Sequence, residues 1–109
     1  MDLVKNIIKM YQTGDNYVEV LAASVRTLDH FLAALKIGSD IITAPFKVLK
    51  EWAENRTVLP EDFSYNPNLK PIPYQKINLN KNWQEYNITH ELTDKGIEKF
   101  CQDWNELIK

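Results

Sequence analysis

The chain has 109 residues, which is room for one small domain at most. Hydrophobic residues make up 44% and charged residues 26%, a balance that suits a packed soluble domain and excludes a disordered one. The net charge of -2 excludes a general attraction to nucleic acid or acidic membranes, so any anion site must be local.

The start, Met1-Asp2-Leu3-Val4-Lys5, is interrupted by charge too often to serve as a signal peptide. Nowhere do eighteen apolar residues follow one another, so no membrane span is expected. Leu3, Val4, Ile7, Ile8 and Tyr11 form a stripe on one helical face, with Asp2 as its cap and Gly14 as a left-handed stop. Gly14-Asp15-Asn16 then predicts a turn into a strand over 17–22. β-branched and aromatic residues on both of its faces predict burial on two sides, as in a parallel sheet.

That strand ends in the small residues Ala22 and Ala23 and delivers a hydroxyl, Ser24, and a guanidinium, Arg26, to its carboxyl end. Thr27 is a good N-cap for a helix whose apolar face is Leu28, Phe31, Leu32 and Leu35, and Gly38 ends it. A second short strand over 40–44 follows, and Pro45 suits the first turn of a third helix. Phe46, Val48, Leu49, Trp52 and Ala53 lie on or near the buried side of that helix, which fades by Asn55. Strands alternating with amphipathic helices predict a parallel α/β arrangement, in which ligands bind at the carboxyl ends of the strands.

From Arg56 to His90 the texture changes. Pro60, Pro67, Pro71 and Pro73 deny helix and central strand, yet Phe63, Tyr65, Tyr74, Trp83 and Tyr86 are too apolar for a free linker. This predicts an extended arm over 56–90, lying on a surface of this chain or of another. Thr93 is the expected cap of a last helix, with Asp94 in its first turn, and Ile97, Phe100, Cys101, Trp104, Leu107 and Ile108 keep helical spacing. The three expected divisions are therefore a strand–helix region (1–55), the arm (56–90) and a closing helix (91–109).

The other reactive side chains have plainer readings. His30 is expected to be solvated, and His90 has no second histidine at metal spacing, so no metal site is expected. Cys101, alone, forms no internal disulfide, fits a reducing and hence cytoplasmic setting, and reads as a buried small hydrophobe. Trp52, Trp83 and Trp104 read as packing residues, because nearby basic residues form no stripe for nucleic acid. The sequons Asn55-Arg56-Thr57 and Asn87-Ile88-Thr89 read as chance. No cofactor is expected.

Taken in order, the motifs Val20-Leu21-Ala22-Ala23-Ser24-Val25-Arg26, Gly38-Ser39-Asp40-Ile41-Ile42-Thr43-Ala44-Pro45, Lys70-Pro71-Ile72-Pro73-Tyr74 and Leu92-Thr93-Asp94-Lys95-Gly96-Ile97-Glu98-Lys99-Phe100 resemble the end of the transaldolase and fructose-6-phosphate aldolase family. Val25 and Ala44 depart from it, standing where bulkier residues are expected. The resemblance implies the last two strand–helix units of a (β/α)8 TIM barrel, followed by the arm and closing helix. It implies a class I aldolase chemistry of carbohydrate metabolism, as in the pentose phosphate pathway. There a lysine forms a Schiff base with a ketose phosphate, and a dihydroxyacetone unit is cleaved off or transferred to an aldehyde.

A complete barrel takes ~250 residues, so this chain is expected to be the C-terminal part, with Met1 an internal methionine exposed by a truncated, split or frame-shifted gene. The Schiff-base lysine is expected to lie outside it, and the chain alone is expected to be inactive. The resemblance assigns substrate phosphate to Ser24 and Arg26, because barrels hold phosphate in the loops after the last strands. Ala22, Ala23 and Thr43 would line the pocket. From spacing alone, Arg26 reads as a surface cation, Ser24 as a turn hydroxyl and Thr43 as a packing residue, while the two alanines read as small residues needed near a substrate, which tight packing explains almost as well. Two parallel strands leave unpaired edges, so the isolated chain is expected to be molten, aggregated or rescued by association. The rescuing partner would be other copies or a complementing N-terminal barrel segment. Two further readings stay open: a non-catalytic sugar-phosphate-binding or oligomer-assembly module, and an inert truncated product.

Overall fold

The structure, a computed structural model, describes residues 1–14 and 17–108. It falls into two compact units, 1–76 and 77–109. The expected turn at Asp15 and Asn16 lies outside the described residues.

The first unit runs α1 (Asp2–Tyr11), β1 (Leu21–Ala22), α2 (Leu28–Lys36), β2 (Ile41–Ile42) and α3 (Phe46–Glu54). β1 and β2 are neighbouring parallel strands, with Leu21 opposite Ile41 and Ala22 opposite Ile42. Parallel pairing needs a crossover, and α2 supplies it. Both strands are shorter than their β-rich stretches predict, and the ends of the ladder show why. Before β2, the Asp40 carboxylate accepts the Val20 N–H at 2.7 Å, and the Ser39 hydroxyl lies 2.9 Å from the Val20 carbonyl oxygen. The Val20 amide is therefore closed by a side chain rather than by strand. At the far end, Ser24 turns β1 aside with φ 57°, and Pro45, whose nitrogen carries no hydrogen, caps α3.

The sheet has one covered face. Val20 and Ala22 are buried and Ile42 and Ala44 pack against the core, whereas Leu21 and Ile41 remain 47% and 42% exposed on the other side. Burial of the strand on both faces is thus corrected to burial on one. The core under the sheet joins Val25, Phe31, Leu32 and Val48, with Leu28, Leu35, Trp52 and Phe63 around it. The Phe31 and Trp52 rings meet at 4.8 Å between centroids. The Trp52 indole N–H is sheltered there and finds no acceptor among the described residues. The apolar side of α3 is narrower than expected: Val48 is buried against the core and α2 lies beside the helix, but Phe46, Leu49 and Ala53 are exposed.

Helix ends follow local chemistry. The Thr27 hydroxyl caps α2 by accepting the His30 N–H at 3.2 Å. At its other end, Gly38 donates to Leu35 O and Ser39 to Ala34 O, the paired closure that needs a left-handed residue, and Gly38 has φ 75°. Gly14 plays no such part, since its φ is not left-handed and α1 ends on right-handed Gln12. Asp2 does not cap α1 either. It is the first helical residue, and its carboxylate accepts the Ile72 N–H.

After α3, Arg56 and Thr57 take successive left-handed conformations (φ 63° and 56°) that turn the chain back. The following segment then lies on its own unit. Phe63 joins the core rim, its carbonyl accepting from the Lys36 ammonium, and Tyr65 stands edge-on to His30 at 5.7 Å. His30 is accordingly half-buried against an aromatic ring rather than solvated.

The second unit holds a 3-10 turn (Trp83–Glu85) and α4 (Glu91–Leu107). Asn82 and Glu85 close the short turn reciprocally, and the Tyr86 hydroxyl donates to Asn78 O. α4 begins earlier than expected, because the His90 ring rather than Thr93 caps it: Nδ1 accepts the Leu92 N–H at 3.2 Å. Its stripe is exposed throughout, including Phe100 at 73%, Trp104 at 63% and Cys101, which corrects the expectation of a buried thiol. No helix among the described residues is long and apolar enough to cross a membrane.

The left-handed stop after α2 makes a direct prediction. A Cβ at Gly38 meets nothing within 4 Å, so Gly38→Ala acts through backbone strain alone. Urea unfolding should show a loss of about 1 kcal/mol, with Gly38→Asn recovering part of it. Equal stability of the alanine variant and the wild type would contradict the closure.

Candidate functional site

Because β1 and β2 are parallel, their carboxyl ends open at the same edge. The Thr43 N–H donates to Ala22 O at 3.0 Å and fastens that edge. Beyond it the chain presents Ala23, Ser24 and Arg26 from one strand and Thr43 from the other, all exposed. Side chains alternate across a strand, so Ala23 and Thr43 share the open face with Leu21 and Ile41. Ala22 does not join them. It is 1% exposed and faces the helices, where its small side chain admits close packing.

Val25, between the two candidate anion ligands, is 2% exposed and anchored in the core with Phe31, Leu32 and Val48. This anchor fixes the loop, while Ser24 and Arg26 on either side stay in solvent. Among the described residues neither has a hydrogen bond or ion pair, so both polar groups are available. A planar guanidinium offers a two-pronged contact to phosphate oxygens, and a hydroxyl adds a single donor. The loop runs directly into α2, whose first amides lack intrahelical partners and favour negative charge. Thr27 Oγ1 takes one of those amides, that of His30. Asp29 in the same first turn adds a carboxylate, which offsets part of that positive potential.

The nearby cleft at the start of α2 is lined by Thr27, Asp29, His30, Tyr65, Asn66 and Pro67 and includes neither Ser24 nor Arg26. Among the described residues no cluster of three or more His, Cys, Asp or Glu is grouped to hold a metal. β1 and β2 contain no lysine, and Lys36, Lys47 and Lys50 belong to α2 and α3.

Sequence reasoning missed the side chains that set this edge, Ser39 and Asp40. A signal was present: aspartate is depleted in strands, so an Asp opening Ile41-Ile42 calls for a partner. It also missed the strain at Ser24, because a left-handed backbone at a serine leaves no mark in the residue pattern.

Comparison with known proteins fits this geometry. Residues 1–109 match the family Transaldolase/Fructose-6-phosphate aldolase. The chain is 32% identical over 109 residues to a probable transaldolase of Bdellovibrio bacteriovorus, covering 100% of this chain and 34% of that protein. It is 31% identical over 108 residues to a probable transaldolase of Alkaliphilus metalliredigens, covering 99% and 34%. A probable transaldolase of Paracoccus denitrificans is 31% identical over 104 residues, covering 95% and 32%. The chain therefore spans about a third of the length of these curated relatives. No solved structure matches it.

The left-handed Ser24 separates stability from binding. Ser24→Gly should raise the unfolding free energy by up to ~1 kcal/mol by relieving a conformation unfavourable to L side chains, while removing the hydroxyl. Destabilisation on denaturant unfolding would mean that the serine side chain holds the loop. The whole-length family match, with two parallel strands opening at a shared edge, shows that this chain belongs to the transaldolase/fructose-6-phosphate aldolase family.

Proposed function

We propose that this chain is the C-terminal portion of a transaldolase-like Schiff-base aldolase and supplies the grip on the phosphate of a ketose phosphate. The observation that carries this reading is the unengaged Ser24–Arg26 pair at the carboxyl edge of two adjacent parallel strands. In the complete (β/α)8 barrel, Arg26 takes two phosphate oxygens, Ser24 takes one, and the opening amides of α2 add positive potential. Ala23 and Thr43, on the open face, line the mouth beside the sugar.

The carbon–carbon chemistry belongs to a lysine outside these residues, on a strand that lies against the open face. Such a lysine forms an imine with the ketose carbonyl, losing water. The protonated imine then accepts the electron pair released when the carbon–carbon bond breaks. The lysines of this chain stand on helices or beyond α3, so the chain by itself binds and does not cleave. The open face, with Leu21 and Ile41 exposed, turns to the barrel interior, and the neighbouring strands pair with the free edges of β1 and β2. They come from a complementing N-terminal segment or from further copies. The reducing cytoplasm is the setting that suits the exposed free thiol of Cys101.

Calorimetric titration with fructose 6-phosphate should show binding that Arg26→Ala weakens by roughly tenfold or more, the scale of one charge-assisted hydrogen bond. Equal affinity of the two chains would remove Arg26 from the site. Borohydride added to the same mixture should leave the mass of the chain unchanged. A covalent sugar adduct would place the Schiff base on one of these lysines and overturn the division of labour.

A further inference from the structure

The segment Pro71-Ile72-Pro73-Tyr74 crosses α1, and every polar contact it makes there comes from one helical face. The Asp2 carboxylate accepts the Ile72 N–H at 2.9 Å, and the Asn6 amide donates to the Ile72 carbonyl oxygen at 3.0 Å. One turn further, the Lys9 ammonium stands 4.5 Å over the centroid of the Tyr74 ring. Asp2, Asn6 and Lys9 are spaced i, i+4, i+7, the stripe that a helix presents on one side. Pro71 and Pro73 carry no N–H, so Ile72 offers the sole backbone donor between them. Asp2 and Asn6 together satisfy both backbone groups of that residue.

We propose that Asp2, Asn6 and Lys9 form a latch that reads the extended Pro-Ile-Pro-Tyr segment and holds it as a strap. The closed strap forms one wall of a groove lined also by Lys5, Ile8, Lys36 and Ile37. Two features make the latch separable from the core. All three latch contacts are exposed or ring-face contacts outside the cluster around Phe31 and Val48. The prolines, moreover, hold the strap extended before it docks, so little chain entropy opposes closing. Breaking the latch releases residues 70–76 together and opens the groove, while the β1–β2 pair and the α2–α3 packing stay in place.

Hydrogen exchange at Ile72 reads the latch directly, because no other amide lies between the two prolines. In the full chain the Ile72 amide should be protected, and Asp2→Ala should speed its exchange by roughly tenfold. Asn6→Ala is the second variant, chosen because alanine favours helix: it should also speed exchange at Ile72 while α1 stays at least as helical. Amides of α2 should be unchanged in both. In each variant, trypsin should cut faster after Lys76, beside the released strap. Exchange of the wild-type Ile72 amide at the free-chain rate would overturn the latch. Protection that survives both substitutions would do the same.

Discussion

The candidate edge of this chain depends on the capture of the backbone of one residue, Val20. Val20 gives its N–H to the Asp40 carboxylate, and its carbonyl oxygen receives the Ile41 N–H and lies beside the Ser39 hydroxyl. Those contacts bring the residues before β2 against the residues before β1 and fix which residues face each other. A slip of one position would exchange the covered and open faces. With β1 held in place, it would turn the side of Ile42 that meets the core outward and bring Ile41 inward. It would also move Thr43 away from Ala23. A buried donor left without its carboxylate costs on the order of 1–3 kcal/mol, so the register has a strong local guard.

From that register the candidate site follows. Val25 is drawn into the core, and the two polar residues beside it have no partner among the described residues. Ser24 bears a left-handed backbone at this point, a cost kept where the chain must leave the sheet and enter α2 within five residues. The loop is thus fixed by an apolar anchor rather than by its polar side chains, and this leaves the polar groups free to bind.

Much of this was legible in the residues. Thr27 as a cap, Gly38 as a stop and the alternation of strand and helix are local signals, and each follows from backbone chemistry that neighbours do not override. The positions that read wrongly depend on what lies across space. Strand length was overestimated because Tyr17 and Val18 have strand-forming side chains, whereas the ladder ends where Asp40 reaches Val20. Cys101 and the α4 stripe were expected to be buried because helical periodicity shows which face is apolar and not what covers it. The arm reads as lying on a surface, and Phe63, Tyr65, Ile72 and Tyr74 rest on the chain's own first unit. Ser24 and Arg26 stand out by their place at the end of a strand, but their phosphate role comes from the family resemblance, since an exposed serine and arginine two residues apart are common on any protein surface.

The most direct test is to map where a sugar phosphate touches the folded chain, using backbone and arginine side-chain resonances during a titration with fructose 6-phosphate. The largest shifts should fall on Ser24, Arg26 and the first amides of α2, with Thr43 responding across the strand edge. Shifts gathered instead at Lys5, Lys9 and Lys36, with the residues of the strand edge unmoved, would contradict the phosphate grip.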